Sequence, residues 1–221
     1  MPVFHWIILA CWLVFIVYWG ISALSAKRSI GGAIWWRHVA IRLAIAVLIV
    51  IAVQVPTIRH DLQAMLHQHP GNMLLQATGA LLVGLGIALA IAARVYIGRN
   101  WGMPMSRKED PELVTGGPYA FVRHPIYTGI LIALLGSVIG HSLVWLPALL
   151  LSGPYFIYSA RREEALMCEQ FPAQYPAYMQ RTKMLLHACA RHLLASGGRR
   201  GRCEPRSGAD EAAARRRRRP E

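Results

Sequence analysis

The chain has 221 residues, of which 55% are hydrophobic and only 16% are charged, with a mean hydropathy of +0.35. A soluble domain typically carries about 25% charged residues, so this composition nearly excludes a soluble globular enzyme. The formal net charge is +13, but residues 181–221 hold 12 of the 24 Lys and Arg residues and only 4 of the 11 Asp and Glu residues. The basic character therefore belongs mostly to the C-terminal tail.

Apolar runs predict an all-α integral membrane protein with about five transmembrane helices. A spanning helix needs roughly 20 mostly apolar residues to cross a hydrocarbon core about 30 Å thick. The runs cover residues 3–24, 39–55, 73–97, 127–139 and 143–158. The first run lacks the basic start of a signal peptide and exceeds the usual apolar length of about 7–15 residues, so a spanning helix is preferred. The last two runs are interpreted as a tight helical hairpin around Gly140-His141-Ser142.

Small residues and basic loops refine this topology. Gly79, Gly84 and Gly86 in the third run predict close helix contacts. Basic loops stay in the cytoplasm, and the basic residues follow the first, third and fifth runs. The N-terminus is therefore predicted outside and the C-terminus in the cytoplasm. Arg42 and Arg94 lie near cytoplasmic span ends, where snorkelling to the interface is expected.

A polar segment before the fourth run carries the first candidate site. Gly116-Gly117-Pro118 predicts a turn, because glycine permits unusual backbone angles and proline fixes its own. Arg123, His124 and Tyr127 then gather a cation, an imidazole and a phenol at a helix entrance, which Pro125 is suited to open. The alternative is an interfacial belt of the kind common at membrane surfaces.

A second polar segment follows the fifth run. Glu163 and Glu164 are adjacent, and neighbouring side chains on a helix point about 100° apart. We therefore expect one carboxylate to face the bundle and the other to face water. The alternative is a solvated, charged helix end. An aromatic and proline-rich stretch, residues 171–178, is then expected to form a cap against the membrane surface.

Together these segments resemble the isoprenylcysteine carboxyl methyltransferase family and its phospholipid and small-thiol methyltransferase relatives. The resemblance rests on G-P-Y-x-x-V-R-H-P-x-Y-x-G from Gly117 to Gly129, the hairpin, and Glu163-Glu164 followed by spaced aromatic residues. It covers residues 96–186, a predicted catalytic region. Residues 1–95 are assigned to spans one to three, and residues 187–221 to a disordered, Arg-rich tail.

The resemblance implies a cytoplasmic S-adenosylmethionine site between the two segments. The cofactor-binding positions that it implies are Leu113, Val114, Tyr119, His124, Pro125, Tyr127 and Glu163, and its candidate catalytic residues are Arg123, His124 and Tyr127. No metal site is expected, since the four cysteines are widely spaced and no His cluster has zinc-ligand spacing. The G-x-G-x-x-G motif of a soluble Rossmann enzyme is also missing from the sequence.

The chemistry of methyl transfer agrees with such a site. The sulfonium of the cofactor already makes its methyl group electrophilic, so the protein must chiefly bind, orient and dehydrate the reactants. The acceptor is expected to be a lipophile or a small thiol or carboxylate, alongside membrane lipids as the surrounding partners. In the isoprenylcysteine enzymes an arginine four residues before the glutamate orients a carboxylate. Ser159 occupies that position here, so a prenylcysteine carboxylate is disfavoured.

Two other functions stay open. A membrane NADPH-dependent reductase shares a similar architecture, but the Glu163-Glu164 pair suits a positively charged cofactor better. A non-enzymatic membrane scaffold with a basic tail is the second alternative. The arginine run from Arg215 to Arg219 is typical of a solvated tail and indicates no specific nucleic-acid partner. The oligomeric state is unknown from sequence.

Overall fold

The computed structural model describes residues 2–23, 29–30, 72–98, 107–108 and 112–185. The described part is mostly helical. The helices are α1 (Pro2–Ala23), α2 (Met73–Ile97), α3 (Pro125–Gly140), α4 (Leu146–Gln170) and α5 (Tyr175–Arg181). Short 3₁₀ helices cover Gly117–Ala120 and Leu143–Trp145, and two-residue strands cover Ser29–Ile30 (β1) and Arg107–Lys108 (β2).

Three of these segments are long and apolar enough to cross a membrane: Val3–Ser22, Met73–Ile97 and Leu143–Gln170. The shorter apolar helix Pro125–Gly140 completes the predicted hairpin with α4. The first, third, fourth and fifth apolar runs are thus helical, as expected of a membrane protein. The second run, residues 39–55, and the tail, residues 187–221, lie outside the described residues.

Helix α4 is longer than the fifth apolar run, from which it was predicted. It continues twelve residues past Tyr158, the end of the apolar run, to Gln170 and carries Glu163 and Glu164 on the same helix as the membrane segment. The added turns are rich in Ala, Arg, Glu, Leu and Met, which are strong helix formers. An apolar window cannot detect such polar turns, although they place the second candidate segment.

Helices α2 and α3 pack through small residues. A Cβ added at Gly86 would lie 2.5 Å from the carbonyl oxygen of Gly129, and one added at Gly79 would overlap the backbone of Gly140. Such close approach of backbones is the usual role of small residues between membrane helices. The prediction for Gly79 and Gly86 is confirmed, but Gly84 has no heavy atom within 4 Å of an added Cβ, so its expected contact was wrong.

Helix α1 is held to this pair at its middle and at its C-terminal end. Near the hairpin turn, Trp12 Nε1 donates to Ser137 Oγ at 2.9 Å. At the opposite end, the Arg94 guanidinium donates to the carbonyl oxygens of Ser22 and Gly98, each at 2.7 Å. Arg94 is only 2% exposed, so the expected snorkelling was wrong. Its cation instead interacts with the negative C-terminal ends of α1 and α2.

The same end of the helices gathers the polar loops. β1 pairs antiparallel with β2, joining Ser29 to Lys108 and Ile30 to Arg107. The chain after α1 and the chain after α2 therefore meet. The segment before α3 lies near the end of α2, since Gly116 and Gly117 approach Tyr96, and the start of α3 meets the end of α4 through Tyr127 and Glu163. This end holds both candidate segments.

Candidate active site

The first candidate segment is seated on α2 by the turn at Gly116 and Gly117. Gly117 has a φ of 56°, a conformation that favours glycine. A Cβ on it would lie 2.6 Å from the ring of Tyr96, and one on Gly116 would overlap the Tyr96 hydroxyl. Two adjacent glycines thus let the loop lie directly on an aromatic ring of α2.

The loop then turns back as the 3₁₀ helix and joins an apolar cluster. Tyr119 is 7% exposed and packs in a cluster with Ala93 and Ile126. Val114 and Tyr127 pack against the same cluster, as does Trp19 from α1. Burial raises the pKa of Tyr119 well above its usual range, and the nearby Glu163 carboxylate adds to the effect. Tyr119 is therefore a neutral, apolar wall of the site.

The entrance of α3 fixes the next side chains. His124 is the N-cap with a non-helical φ of −124° and ψ of 65°, and Pro125 follows as the first helical residue. Proline at this position needs no backbone hydrogen bond and disfavours a helical conformation for the residue before it. Pro125 is fully buried, so the helix start is anchored in the core.

Tyr127 joins the two candidate segments. Its hydroxyl donates to Glu163 Oε1 at 2.5 Å. Its ring stacks on Phe156 with a centroid distance of 4.6 Å and on His124 at 5.5 Å. Phe156 and Glu163 are two turns apart on α4, so Tyr127 lies along that helix. The predicted proximity of His124 and Tyr127 is thus present in the structure.

His124 lies between two carboxylates. Its Nδ1 is 3.5 Å from Glu163 Oε2, and its Nε2 is 3.4 Å from Glu164 Oε1. Burial is the strongest single influence and lowers the pKa of the imidazole, but hydrogen bonds and negative charge from both glutamates outweigh it. The pKa of His124 is therefore raised above its ordinary value.

The expectation that only one glutamate faces the bundle was wrong. The Glu164 side chain is 9% exposed and the Glu163 side chain is 26% exposed. Both carboxylates reach His124 because each contacts a different nitrogen of the imidazole. The two nitrogens lie at different edges of the ring, so one ring can meet two side chains that point about 100° apart on α4.

Arg123 is directed at the protein. Its Nε donates to Glu164 Oε1 at 2.6 Å, and its Nη1 donates to the carbonyl oxygens of Met179 and Thr182. These two carbonyls lie at the C-terminal end of α5, where a cation is favourable. Arg123, a candidate catalytic residue, therefore links the end of α4 to the C-terminal end of α5.

The structure brings most of the predicted residues into one site. Arg123, His124, Tyr127 and Glu163 share one polar cluster, and Val114 and Tyr119 line the apolar side of Tyr127. Pro125 acts through the backbone at the helix start. Leu113 precedes Val114 and is half-buried.

Several contributing residues were not predicted. Tyr96 seats the glycine turn, Phe156 supports Tyr127, and Glu164 pairs with Arg123. The Gly-Gly pair signals a close neighbour without saying which residue it is. Phe156 lies seven residues, or two helical turns, before Glu163. That spacing would have indicated that the two side chains share a helix face if the predicted helix had been extended to Glu163.

The two glutamates of the polar cluster differ in their partners. Glu164 forms an ion pair with Arg123. The Glu163 carboxylate is partly exposed, and among the described contacts its oxygens meet only the Tyr127 hydroxyl and the His124 imidazole. A carboxylate accepts about four hydrogen bonds, so Glu163 has capacity left. Within the described ranges, no group of three or more His, Cys, Asp or Glu side chains has the arrangement of a metal site.

Part of the chain is similar to known methyltransferases. Residues 74–174 match the family model for phospholipid methyltransferases. Protein-S-isoprenylcysteine O-methyltransferase of Schizosaccharomyces pombe is 33% identical over 101 residues, which cover 44% of this chain and 43% of that protein.

Two metal-resistance proteins are similar over a comparable length. The nickel-cobalt-cadmium resistance protein NccN of Alcaligenes xylosoxydans xylosoxydans is 33% identical over 106 residues, covering 46% of this chain and 47% of NccN. The cobalt-zinc-cadmium resistance protein CzcN of Cupriavidus metallidurans is 32% identical over 101 residues, 44% of each chain. The chain spans less than half the length of these curated relatives. The region of similarity, residues 74–174, holds most of α2, the hairpin and the polar cluster, and it is similar to the phospholipid methyltransferase family and to the isoprenylcysteine methyltransferase of S. pombe.

Proposed function

We propose that the protein is an integral membrane methyltransferase that transfers a methyl group from S-adenosylmethionine to a lipophilic or small-molecule acceptor. One observation carries the proposal. The Tyr127–Glu163 hydrogen bond joins the two segments on which the family resemblance rests, at one end of the helices. Residues that are distant in sequence thus form a single site with a partly exposed carboxylate.

The charge of Glu163 supports a cationic cofactor. S-adenosylmethionine carries a sulfonium and an ammonium, and Glu163 is the carboxylate of the cluster that is not already paired with an arginine. Val114 packs against the apolar cluster that contains Tyr119, and so does Tyr127, which donates a hydrogen bond to Glu163. We propose that this cluster gives the site the low polarity that makes a charge interaction strong. We assign cofactor binding to the segment 113–127 together with Glu163.

The chain's own task in this reaction is to hold the reactants. The cofactor, when bound, supplies the electrophilic methyl group. Glu163 holds the cationic part, and Tyr127 fixes the Glu163 carboxylate by donating its hydroxyl hydrogen. The stacked rings of His124, Tyr127 and Phe156 exclude water from that side of the carboxylate. Orientation and exclusion of water account for the catalysis expected of such a site.

Ser159 supports an acceptor group that is not a carboxylate. The Ser159 side chain is 0% exposed and lies between Phe156 and Glu163 along α4. Arg123 is committed to Glu164 and to backbone carbonyls, and Arg161 and Arg162 are exposed. A buried carboxylate needs a charged, preferably bidentate partner. Of the described arginines near the site, none is directed toward Ser159, so we propose a neutral or thiolate acceptor.

The membrane position of the site supports two routes of entry. We propose that the polar end of the helices faces the cytoplasm, from which the cofactor arrives, and that the N-terminus lies outside. A lipophilic acceptor then enters from the bilayer. This orientation follows the basic residues after the first, third and fifth apolar runs, among which Arg123 lies just before the start of α3, at the site end.

The test is methyl transfer by the purified protein in lipid nanodiscs. Methyl-labelled S-adenosylmethionine is incubated with the protein and a membrane lipid and thiol extract, and labelled products are separated by mass spectrometry. We expect product with wild type and a strong decrease with Glu163→Gln. Labelled hydride transfer from NADPH, with no methyl product, would instead support a reductase.

A further inference from the structure

We propose that Glu164 is a positioning residue, which holds Arg123 so that the chain after α4 stays closed over the site. The proposal rests on the proposed function for its catalytic consequence, but its structural part stands alone. It gives the two adjacent glutamates different tasks: Glu163 faces the cofactor side, and Glu164 holds the protein against itself. Burial and partners distinguish them.

The segment that Glu164 controls is the C-terminal strap, residues 175–185, which comprises α5 and the four residues after it. It begins just beyond residue 174, where the family match ends. Val122 forms an isolated parallel bridge with Lys183. The Arg123 amide donates to the Lys183 carbonyl at 2.8 Å, and the His124 amide donates to the Met184 carbonyl at 3.2 Å. The strap thus binds the backbone of the very residues that meet the glutamates.

Arg123 connects Glu164 to the strap. Its Nη1 donates to the carbonyl oxygens of Met179 and Thr182, while its Nε donates to Glu164. The Arg123 and Glu164 side chains are each 9% exposed, so this ion pair is largely shielded from water. Removing one partner of such a pair leaves an uncompensated charge, and that is costly. The loss of Glu164 therefore disturbs Arg123 and, through it, the strap.

A second contact closes the strap independently. The Tyr178 hydroxyl donates to the Tyr119 carbonyl at 2.6 Å, and Tyr178 is 4% exposed. Burial raises the pKa of Tyr178 to about 12, with the Arg123 cation opposing the shift. The hydroxyl is thus a protonated donor at neutral pH. Because Tyr119 belongs to the proposed cofactor wall, the strap supports both the polar and the apolar side of the site.

The strap carries its own reporter of opening. Arg181 and Lys183 are exposed cleavage sites for trypsin inside it. A protease cuts a folded segment in proportion to the population of its open form when closing is fast. We expect Glu164→Gln to raise the initial rate of cleavage after Arg181 and Lys183 about tenfold, the scale of a lost charged hydrogen bond. Tyr178→Phe should raise it by a smaller factor.

Glu163→Gln is the matched control for cleavage. The substitution changes the neighbouring carboxylate in the same way, but the Glu163 carboxylate contacts Tyr127 and His124 rather than Arg123. The cleavage rate of Glu163→Gln should therefore stay within about twofold of wild type. Cleavage of Glu164→Gln and Tyr178→Phe at the wild-type rate would overturn the proposal, since neither closing contact would then hold the strap. The two variants act on different contacts, so misfolding of one does not remove the test.

A double-variant experiment separates positioning from direct cofactor binding. Arg123→Gln removes the other partner of the ion pair and, with it, the contacts to Met179 and Thr182. We expect S-adenosylmethionine affinity to fall in Glu164→Gln and in Arg123→Gln, with no further fall in the double variant, because both residues act on the same strap. A further fall in the double variant, with cleavage unchanged in Glu164→Gln, would make Glu164 a direct ligand. If wild type binds no cofactor but the cleavage results hold, the proposed function fails and the strap assignment stands.

Discussion

The Tyr127 hydroxyl and the Glu163 carboxylate lie 36 residues apart in the chain and form a hydrogen bond of 2.5 Å. The hairpin of α3 and α4 lies between them. Its two helices leave from one end of the structure and return to it, so the start of α3 and the end of α4 meet. The hairpin thereby brings the two segments of the site together, while its apolar residues lie in the membrane.

The packing of α2 against α3 predicts unequal effects for two nearby glycines. Gly86→Ala forces a Cβ against the Gly129 carbonyl and the Ala133 backbone, whereas Gly84→Ala enters open space. Overpacking of this kind costs about 1–3 kcal/mol. We expect a lower midpoint of thermal unfolding in detergent for Gly86→Ala and little change for Gly84→Ala. Equal midpoints for the two variants would show that the helices do not approach at Gly86.

The raised pKa of His124 predicts a pH dependence of stability. The folded protein binds the imidazole proton more tightly than the unfolded chain, whose histidines titrate near pH ~6.5. The resulting stabilisation is full below that value and is lost as the pH rises through the folded pKa. We expect the unfolding midpoint of wild type to fall over this range relative to His124→Gln. A constant difference between the two proteins across the range would contradict the ion pairs at His124.

The proposed orientation predicts which positions react with a membrane-impermeant thiol reagent. Leu143 at the hairpin turn is 48% exposed, whereas neighbouring Ser142 is 1% exposed, so Leu143→Cys is the better probe. Leu143→Cys should label from outside intact cells. Gln174→Cys, at the site end, should label only after permeabilisation, with the parent protein providing the background. Labelling of both from the same side would exclude the hairpin topology.

The identity of residue 159 predicts acceptor choice. Ser159→Arg places a guanidinium one helical turn before Glu163, where the isoprenylcysteine enzymes are expected to carry an arginine. We expect methyl ester formation on a farnesyl-cysteine analogue to be weak in wild type and stronger in Ser159→Arg, because arginine can bind a carboxylate through two charged hydrogen bonds. Robust ester formation by wild type that the variant leaves unchanged would restore the carboxylate as acceptor.

Much of the architecture was predictable because a bilayer imposes length and apolarity on every spanning helix. The runs beginning at Val3 and Met73 matched their helices closely. The end of α4 was missed, since its last turns are polar and only helix propensity and local contacts extend it. Arg94 was misread for a similar reason: position near a span end suggested snorkelling, but the carbonyls of Ser22 and Gly98 offered it a buried partner.

The residues of the candidate site were easier to predict than the contacts between them. The family resemblance indicated His124, Tyr127 and Glu163, and in the structure these three side chains contact one another. Helical geometry alone suggested that one of the two glutamates would face water, because it takes no account of the two ring nitrogens of His124 or of the position of Arg123. Such pairings depend on three-dimensional contacts between segments, which the spacing within one helix does not contain.

Cofactor binding by Glu163 tests the central claim most directly. Isothermal titration of S-adenosylmethionine into the purified protein in nanodiscs should show binding to wild type. Glu163→Gln should weaken it by about 1.5–3 kcal/mol, the usual value of a hydrogen bond to a charged group. Glu169→Gln, an exposed glutamate on the same helix, should bind with wild-type affinity. Equal affinity of wild type and Glu163→Gln, or no binding by wild type, would contradict the account.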